Sequence, residues 1–226
     1  MTGRASDFSS KPERARFVVK EAYFTLQGEG ARTGRPAVFC RFAGCNLWSG
    51  REEDRAAAIC DFCDTDFVGT NGPRGGKFDA GTLAVHLLRI WEEGGASPLQ
   101  PYVVFTGGEP LLQLNEELIE ACHLAGFEIA IETNGTLPIP AGIDWVCVSP
   151  KAGAECVVDA GDELKLIFPQ SGLMPVDVEH LDFPRRYLQP MDGPNLAANV
   201  TAAREYCASK PAWRLSLQTH KLLGLP

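Results

Sequence analysis

From Phe17 onward, short β-branched and aromatic runs alternate with longer amphipathic stretches. The runs Phe17–Glu21, Ala37–Phe42, Tyr102–Phe105, Glu128–Glu132, Trp145–Ser149, Leu164–Phe168, Arg186–Gln189 and Trp213–Leu217 have the composition of strands. Between them lie helical patterns. In Thr82–Glu92 the residues Leu83, Leu87, Ile90 and Trp91 fall on one face, and Glu116–Ala125 and Ala197–Cys207 behave similarly. This alternation predicts an α/β protein with a mostly parallel sheet. About six such units fit a partial (incomplete) β/α barrel or an open sheet, since a full eight-unit barrel takes about 250 residues. No repeat, linker or low-complexity tract interrupts the pattern, which predicts one domain over 17–226. The polar, mixed-charge segment 1–16 has no apolar h-region, and reads as a disordered leader rather than a secretory signal.

Composition narrows the function. The 226 residues are 45% hydrophobic and 22% charged, which excludes a disordered or fibrous chain. No apolar run reaches the roughly 18 residues of a membrane span. The net charge of -8 argues against nucleic acid or anionic lipid as a partner. Eight cysteines without an export signal point to the reducing cytoplasm, where disulfides are rare. Some thiols are then plain core residues, and others serve a metal or redox group.

Cys45, Cys60 and Cys63 form a C-x14-C-x2-C pattern just past the strand Ala37–Phe42. Three thiolates suit an iron–sulfur cluster with one iron left open, or a zinc site short of one ligand. Cys40 is the nearest fourth candidate, but its place in a strand favours a core thiol. Cys122, Cys147, Cys156 and Cys207 have no ligand spacing and read as core or incidental. Phe105-Thr106-Gly107-Gly108-Glu109-Pro110 follows a strand and opens a helical turn, and its two glycines allow backbone to approach a ligand closely.

With FTLQGEG, CDFCDT, TGGEP, ETNGT, SPK and YLQPMD, the chain resembles the radical S-adenosylmethionine superfamily. Within it the chain resembles the 7-carboxy-7-deazaguanine synthases. The cysteine pair, GGEP and the barrel are generic to the superfamily, whereas FTLQGEG, CDFCDT and the SPK and YLQPMD pair point to this branch. The superfamily spacing is C-x3-C-x2-C, so Asn46–Ile59 is an insertion whose role the sequence leaves open.

The resemblance implies that Cys45, Cys60 and Cys63 hold a 4Fe–4S cluster. It places S-adenosylmethionine against Phe62, Cys63, Asp64, Gly108, Glu109, Ser149, Pro150, Lys151, Gln189, Pro190, Met191 and Asp192. Thr65 resembles a Mg2+ ligand, with Asp64 and Asp66 adding cation affinity. The implied substrate is 6-carboxy-5,6,7,8-tetrahydropterin, with Leu26, Gln27, Gly28, Glu29 and Thr106 at its edge and Arg41 on its acid. His220 and Pro226 would reach it from an apolar tail lying on the protein. The implied reaction is a radical ring contraction with loss of ammonia, in queuosine-type 7-deazapurine biosynthesis. The implied partners are an electron donor such as flavodoxin and a second copy in a homodimer.

Each residue also has a plainer reading. Phe62 reads equally as a core aromatic, Ser149 and Thr65 as helix N-caps, Lys151 as a solvated charge, Asn134 as a turn residue and His220 as part of a frayed tail. A glycyl-radical activating enzyme and a zinc-binding adaptor are the rival functions. FTLQGEG disfavours the first, and GGEP and SPK at strand ends disfavour the second.

Overall fold

The computed structural model describes residues 16–96 and 98–226, so the leader expected over 1–16, apart from Arg16, lies outside the described residues. Among the described residues, nine strands form one sheet: β1 (Phe17–Leu26), β2 (Pro36–Phe42), β3 (Gly76–Phe78), β4 (Tyr102–Gly107), β5 (Glu128–Thr133), β6 (Trp145–Val148), β7 (Glu163–Phe168), β8 (Arg186–Pro190) and β9 (Arg214–Leu215). Their spatial order is β3-β1-β2-β4-β5-β6-β7-β8-β9. From β2 to β9 every neighbouring pair is parallel, while β1 is antiparallel to both β2 and β3. This is the mostly parallel sheet that the alternation predicts, in the partial-barrel form that is one of the two it fits, with an antiparallel β1 and β3 at one edge. β3 is three residues with a glycine at its start, too short to show a period of two.

Among the described residues, four α-helices accompany the sheet: α1 (Ala80–Glu93), α2 (Glu116–Leu124), α3 (Leu196–Ser209) and α4 (Thr219–Leu223). α1 starts where the sequence supplies a reciprocal cap. Thr82 N–H donates to Asp79 Oδ1 at 2.8 Å, and Asp79 N–H donates to Thr82 Oγ1 at 3.1 Å. Such a cap contributes about 1 kcal/mol. Leu83, Leu87, Ile90 and Trp91 are buried on one face, as their spacing predicts. The connections from β5 to β6, β6 to β7 and β7 to β8 carry no α-helix. Pro138, Pro140, Pro150, Pro169 and Pro184 lie in them and deny the backbone donors a helix needs.

The two faces of the sheet differ sharply. One face is apolar and carries the core. Val38, Cys40 and Phe42 of β2, Val103 and Phe105 of β4, and Ile129 and Ile131 of β5 are fully buried in a cluster with α1 and α2. Leu164 and Leu166 of β7, Leu188, Ala203 and Trp213 form a second cluster. Each fully buried aliphatic side chain stabilises by about 1.5–3 kcal/mol. The other face points into the barrel and is polar. Alternate strand positions place Glu21, Tyr23 and Thr25 of β1, Arg41, Thr106, Glu132, Lys165 and Gln189 there.

Candidate functional site

A cavity of about 470 Å3 opens at the C-terminal ends of the parallel strands. That is the size of a small-molecule site and the end where such sites assemble. It has a rim made by loops, a floor made by strands, and a third side made by the C-terminal segment.

The rim carries the cysteines. Cys45, Cys60 and Cys63 all line the cavity, and all eight cysteines are free thiols. Cys40 is fully buried in the core behind β2, as a plain core thiol should be. Burial pushes the Cys45 thiol up, and pushes Cys60 up to about 11 against the pull of the Lys151 ammonium. Among the described residues, no three His, Cys, Asp or Glu groups converge as ligands of a single ion must. Three thiols facing one cavity are the donor set of either an open-iron cluster or a zinc ion short of one ligand.

The backbone fixes this rim. Gly108 N–H donates to the Phe42 carbonyl at 3.3 Å, and Glu109 N–H to the Gly44 carbonyl at 2.9 Å, one residue before Cys45. A Cβ on Gly108 would stand 2.0 Å from the Gly44 carbonyl oxygen and 2.9 Å from Cys45 Cβ. Gly107 has φ +128°, and a Cβ there would meet the Phe42 carbonyl oxygen at 2.3 Å. The two glycines are therefore required for the crossing of these two loops. The insertion Asn46–Ile59 also acquires a role. It forms a 3-10 helix over Glu52–Ala57. Arg55 in it stacks over Trp48 and donates to the carbonyls of Asp61 (2.7 Å) and Cys63 (3.1 Å). The insertion thus clasps the turn that carries the cysteine pair.

Two expected contacts lie behind the cavity surface. Glu109 is fully buried, and its carboxylate accepts from Thr133 Oγ1 (2.7 Å) and from the N–H groups of Asn134 (2.8 Å) and Leu111 (3.0 Å). Burial pushes this carboxyl up, although those donors oppose it. It ties β4 to β5 beneath the rim and leaves Gly107 and Gly108 as the part of the motif that faces the cavity. Pro150 is also buried, and its carbonyl accepts from Gln170. Ser149, Lys151, Gln189, Pro190, Met191 and Asp192 do line the cavity.

Several plainer readings give way. No helix follows Ser149 or Thr65, so neither caps one. Lys151 turns its ammonium onto Ser149, donating to the carbonyl (2.6 Å) and Oγ (2.7 Å), and burial pushes it down. Phe62 and Thr65 line the cavity, and Phe62 belongs to neither core cluster. Asp64 and Asp66 line it too, each in an ion pair, Asp64 with Lys221 at 2.8 Å and Asp66 with Lys20 at 2.6 Å. Asn134 keeps its turn role, accepting from Thr136 N–H at 2.9 Å, and it also lines the cavity.

The floor is charged. Arg41 is partly buried because it is paired: Nε donates to Glu21 at 2.9 Å and an Nη to the Tyr23 hydroxyl at 3.0 Å. Gln27 donates to Glu132 Oε1 at 2.9 Å and accepts from Glu29 N–H at 3.0 Å. Lys165 donates to Glu29 and, at 3.1 Å, to Glu132 Oε2. Burial alone would push the Glu29 carboxyl up, but Lys165 and hydrogen bonds from Gln189 and Gln218 hold it down at about 2. Lys165 itself is pushed down by burial and driven well up by Glu132 and Glu29. Lys165 is a site residue that the motifs do not contain, and Glu132 opens the ETNGT motif but carried no expected role. The signal for them was charged residues set among apolar ones, Glu128 and Glu132 in EIAIET and Glu163 and Lys165 in ELKLIF.

The third side is α4. Thr219 N–H and Oγ1 both donate to the Gly28 carbonyl, at 3.0 and 2.9 Å, and Gln218 donates to Glu29 Oε1 at 3.0 Å. His220 packs on Gly28, where a Cβ would meet its Nδ1 at 2.1 Å. Burial pushes His220 down against the pull of Glu29. Leu26, Gly28, Thr106, His220 and Pro226 line the cavity, and the Pro226 carbonyl accepts from Thr25 at 3.2 Å. Lys221 bridges Asp64 (2.8 Å) and Asp192 across the mouth. The tail docks by these polar groups and not by its apolar run, contrary to expectation. Leu222 and Leu223 are exposed, because the left-handed turn at Gly224 follows the docked face by less than one helical turn.

No family model matches the chain. Curated relatives do. A 7-carboxy-7-deazaguanine synthase from Bordetella pertussis is 62% identical over 211 residues, covering 93% of this chain and 99% of its own. One from Caulobacter vibrioides is 60% identical with the same coverage. Among solved structures, the crystal structure of QueE from Escherichia coli superposes with a TM-score of 0.62 at 25% identity, over 90% of this chain and 94% of that one.

Proposed function

Since the chain belongs to the 7-carboxy-7-deazaguanine synthase family, an enzyme family of queuosine biosynthesis, we propose that its cavity holds 6-carboxy-5,6,7,8-tetrahydropterin beside S-adenosylmethionine. Cys45, Cys60 and Cys63 hold a 4Fe–4S cluster at the rim in this reading. The observation that carries it is the meeting, in one cavity, of three free thiols, the strand-end motifs and a charged floor. When bound, the cluster and S-adenosylmethionine supply the one-electron chemistry that starts the ring contraction.

The chain's own residues bind and orient. Gly108 lets the cofactor approach the backbone, and Glu109 fixes that turn from behind. Phe62 covers the cofactor, while Lys151, Ser149 and the segment Gln189–Asp192 offer its polar groups partners from two neighbouring strand ends. On the floor, Gln27 and Glu29 meet the pterin edge, with Thr106 beside them. Arg41 presents a guanidinium to the substrate carboxylate from a site where Glu21 and Tyr23 already fix its orientation. His220 and Pro226 approach from the α4 side. Thr65 serves Mg2+, which keeps several waters and needs few protein ligands. Thr65→Val should weaken Mg2+ stimulation more than it lowers iron content; equal Mg2+ dependence in variant and parent removes Thr65 from the metal site. An electron donor such as flavodoxin, a homodimeric assembly and a cytoplasmic location complete the proposal.

Anaerobically purified protein should be brown with about four irons per chain. It should convert the pterin, with S-adenosylmethionine, Mg2+ and a strong reductant, to the deazapurine. Colourless, zinc-loaded protein without turnover sinks the reading.

A further inference from the structure

We propose that Lys165 is a positioning residue that sets Glu29 and Glu132 side by side on the cavity floor, as a two-carboxylate acceptor for the ring N–H groups of the pterin. This rests on the reading of the cavity given above and extends it to a residue outside every motif. Lys165 projects from the middle of β7 with only 5% of its side chain exposed. Its one ammonium reaches Glu29 from the turn after β1 and Glu132 from β5, two segments that no backbone ladder joins directly. The remaining oxygens of the pair are also engaged, Glu132 Oε1 by Gln27 and Glu29 Oε1 by Gln218.

The surroundings show why the cation matters. Facing the ammonium are Glu29, Glu132, Glu163 and the Cys147 thiol, with His220 on the α4 side and Lys151 across the cavity. Glu163 has its own donors, the Ala31 N–H at 2.9 Å and the Cys147 thiol at 3.7 Å. Lys165 therefore serves the other two carboxylates, and one positive charge between two negative ones leaves a surplus of acceptor capacity toward the cavity. A tetrahydropterin is rich in ring N–H donors, and carboxylate acceptors make stronger bonds to such donors than neutral ones do. Fold stability alone does not call for this arrangement, since a buried ionic group is often no more stable than well-packed apolar residues of the same volume. Without the cation, two converging carboxylates share a proton, and one acceptor becomes a donor facing the substrate's N–H groups.

The test is Lys165→Met with the full chain and its cluster. Iron content should match the parent. KM for the pterin should rise about tenfold or more, with a smaller change in kcat. That KM should fall again as pH rises and strips the shared proton, while the parent's profile stays flatter. Infrared spectra without substrate should show a protonated carboxyl at neutral pH that the parent lacks. Lys165→Arg, which retains the charge, should restore the flat profile. A parent-like KM at every pH and no carboxyl signal in Lys165→Met overturn the proposal. If Lys165→Met does not fold, the paired change Lys165→Met with Glu132→Gln keeps the floor's net charge. It should give a raised, pH-flat KM, and a parent-like KM there also overturns the proposal. If the parent itself fails to turn over the pterin, the functional reading falls, and the infrared signal still decides whether Lys165 holds the carboxylates.

Discussion

At the rim of the cavity, the cysteine segment is held by backbone contacts: Gly108 against the Gly44 carbonyl, and Arg55 on the carbonyls of Asp61 and Cys63. At the floor, Glu132 and Lys165, on the strands β5 and β7, and Glu29, in the turn after β1, are held together by charge. The difference teaches where each region is fragile. Backbone crossings fail when volume is added, whereas a charged floor fails when charge or pH changes. Each region can be broken by a perturbation that the other tolerates.

The largest effect belongs to the rim thiols. Replacing Cys45, Cys60 or Cys63 by Ala should abolish iron binding and activity together, measured as iron per chain and deazapurine formed. Cys40→Ala should keep both, because that thiol faces the core; loss of iron in Cys40→Ala breaks the assignment.

Gly108→Ala comes next. Its Cβ would overlap the Gly44 carbonyl and crowd Cys45, so the two loops must part. A displacement of about 1 Å at a reacting centre can cost about a hundredfold in rate. Activity should fall by about that factor, with partial loss of iron and an unchanged acid-stability profile. Full activity in Gly108→Ala would show that the crossing is looser than its geometry indicates.

These two regions were not equally legible in the sequence. The rim announced itself, because a turn that must pass close to another chain segment uses glycine, and a cluster site uses cysteine; both residue types carry spacing that can be read. The strands beneath also declared themselves, and α1 lies within two residues of its expected start. The floor did not. Glu132 and Lys165 lie 33 residues apart in strands whose apolar positions dominate the pattern, and only the curl of the sheet brings them together. The antiparallel start of the sheet was hidden for a related reason, since strand direction is set by connection geometry rather than by composition. α4 was missed because five residues are too few to show a helical period.

The floor's own weakness is acid. Glu29 sits at about 2 in the folded chain against an ordinary 4.5, so its contribution is fully present above pH 4.5 and is lost as pH falls toward 2. Linkage sets that contribution at about 3 kcal/mol or less. Glu29→Gln should therefore lower the melting temperature at neutral pH, and its melting temperature should fall less steeply than the parent's between those two pH values. Parallel melting curves for the two proteins would remove Glu29 from the acid transition.

The smallest effect lies where rim and floor meet the tail. Lys221 joins Asp64, one residue past Cys63, to Asp192 at the end of β8, and so ties α4 across the mouth of the cavity. Burial pushes its ammonium down while Asp192 and Asp64 push it up further. The three side chains keep 41%, 48% and 32% of their exposure, so water and salt screen both contacts. Exposed pairs of this kind contribute about 0.2–1 kcal/mol. The remaining tail contacts, Thr219 on Gly28 and Gln218 on Glu29, are neutral or buried and do not share that sensitivity. Lys221→Met should thus raise KM for the pterin by only about two- to fivefold at low ionic strength. Added salt should erase the difference by weakening the parent, since the Debye length shrinks to about 3 Å at 1 M. Iron content and the acid profile should not move. A KM difference that persists at high salt would mean that Lys221 acts through packing, and would place the tail with the backbone-held rim rather than with the charge-held floor.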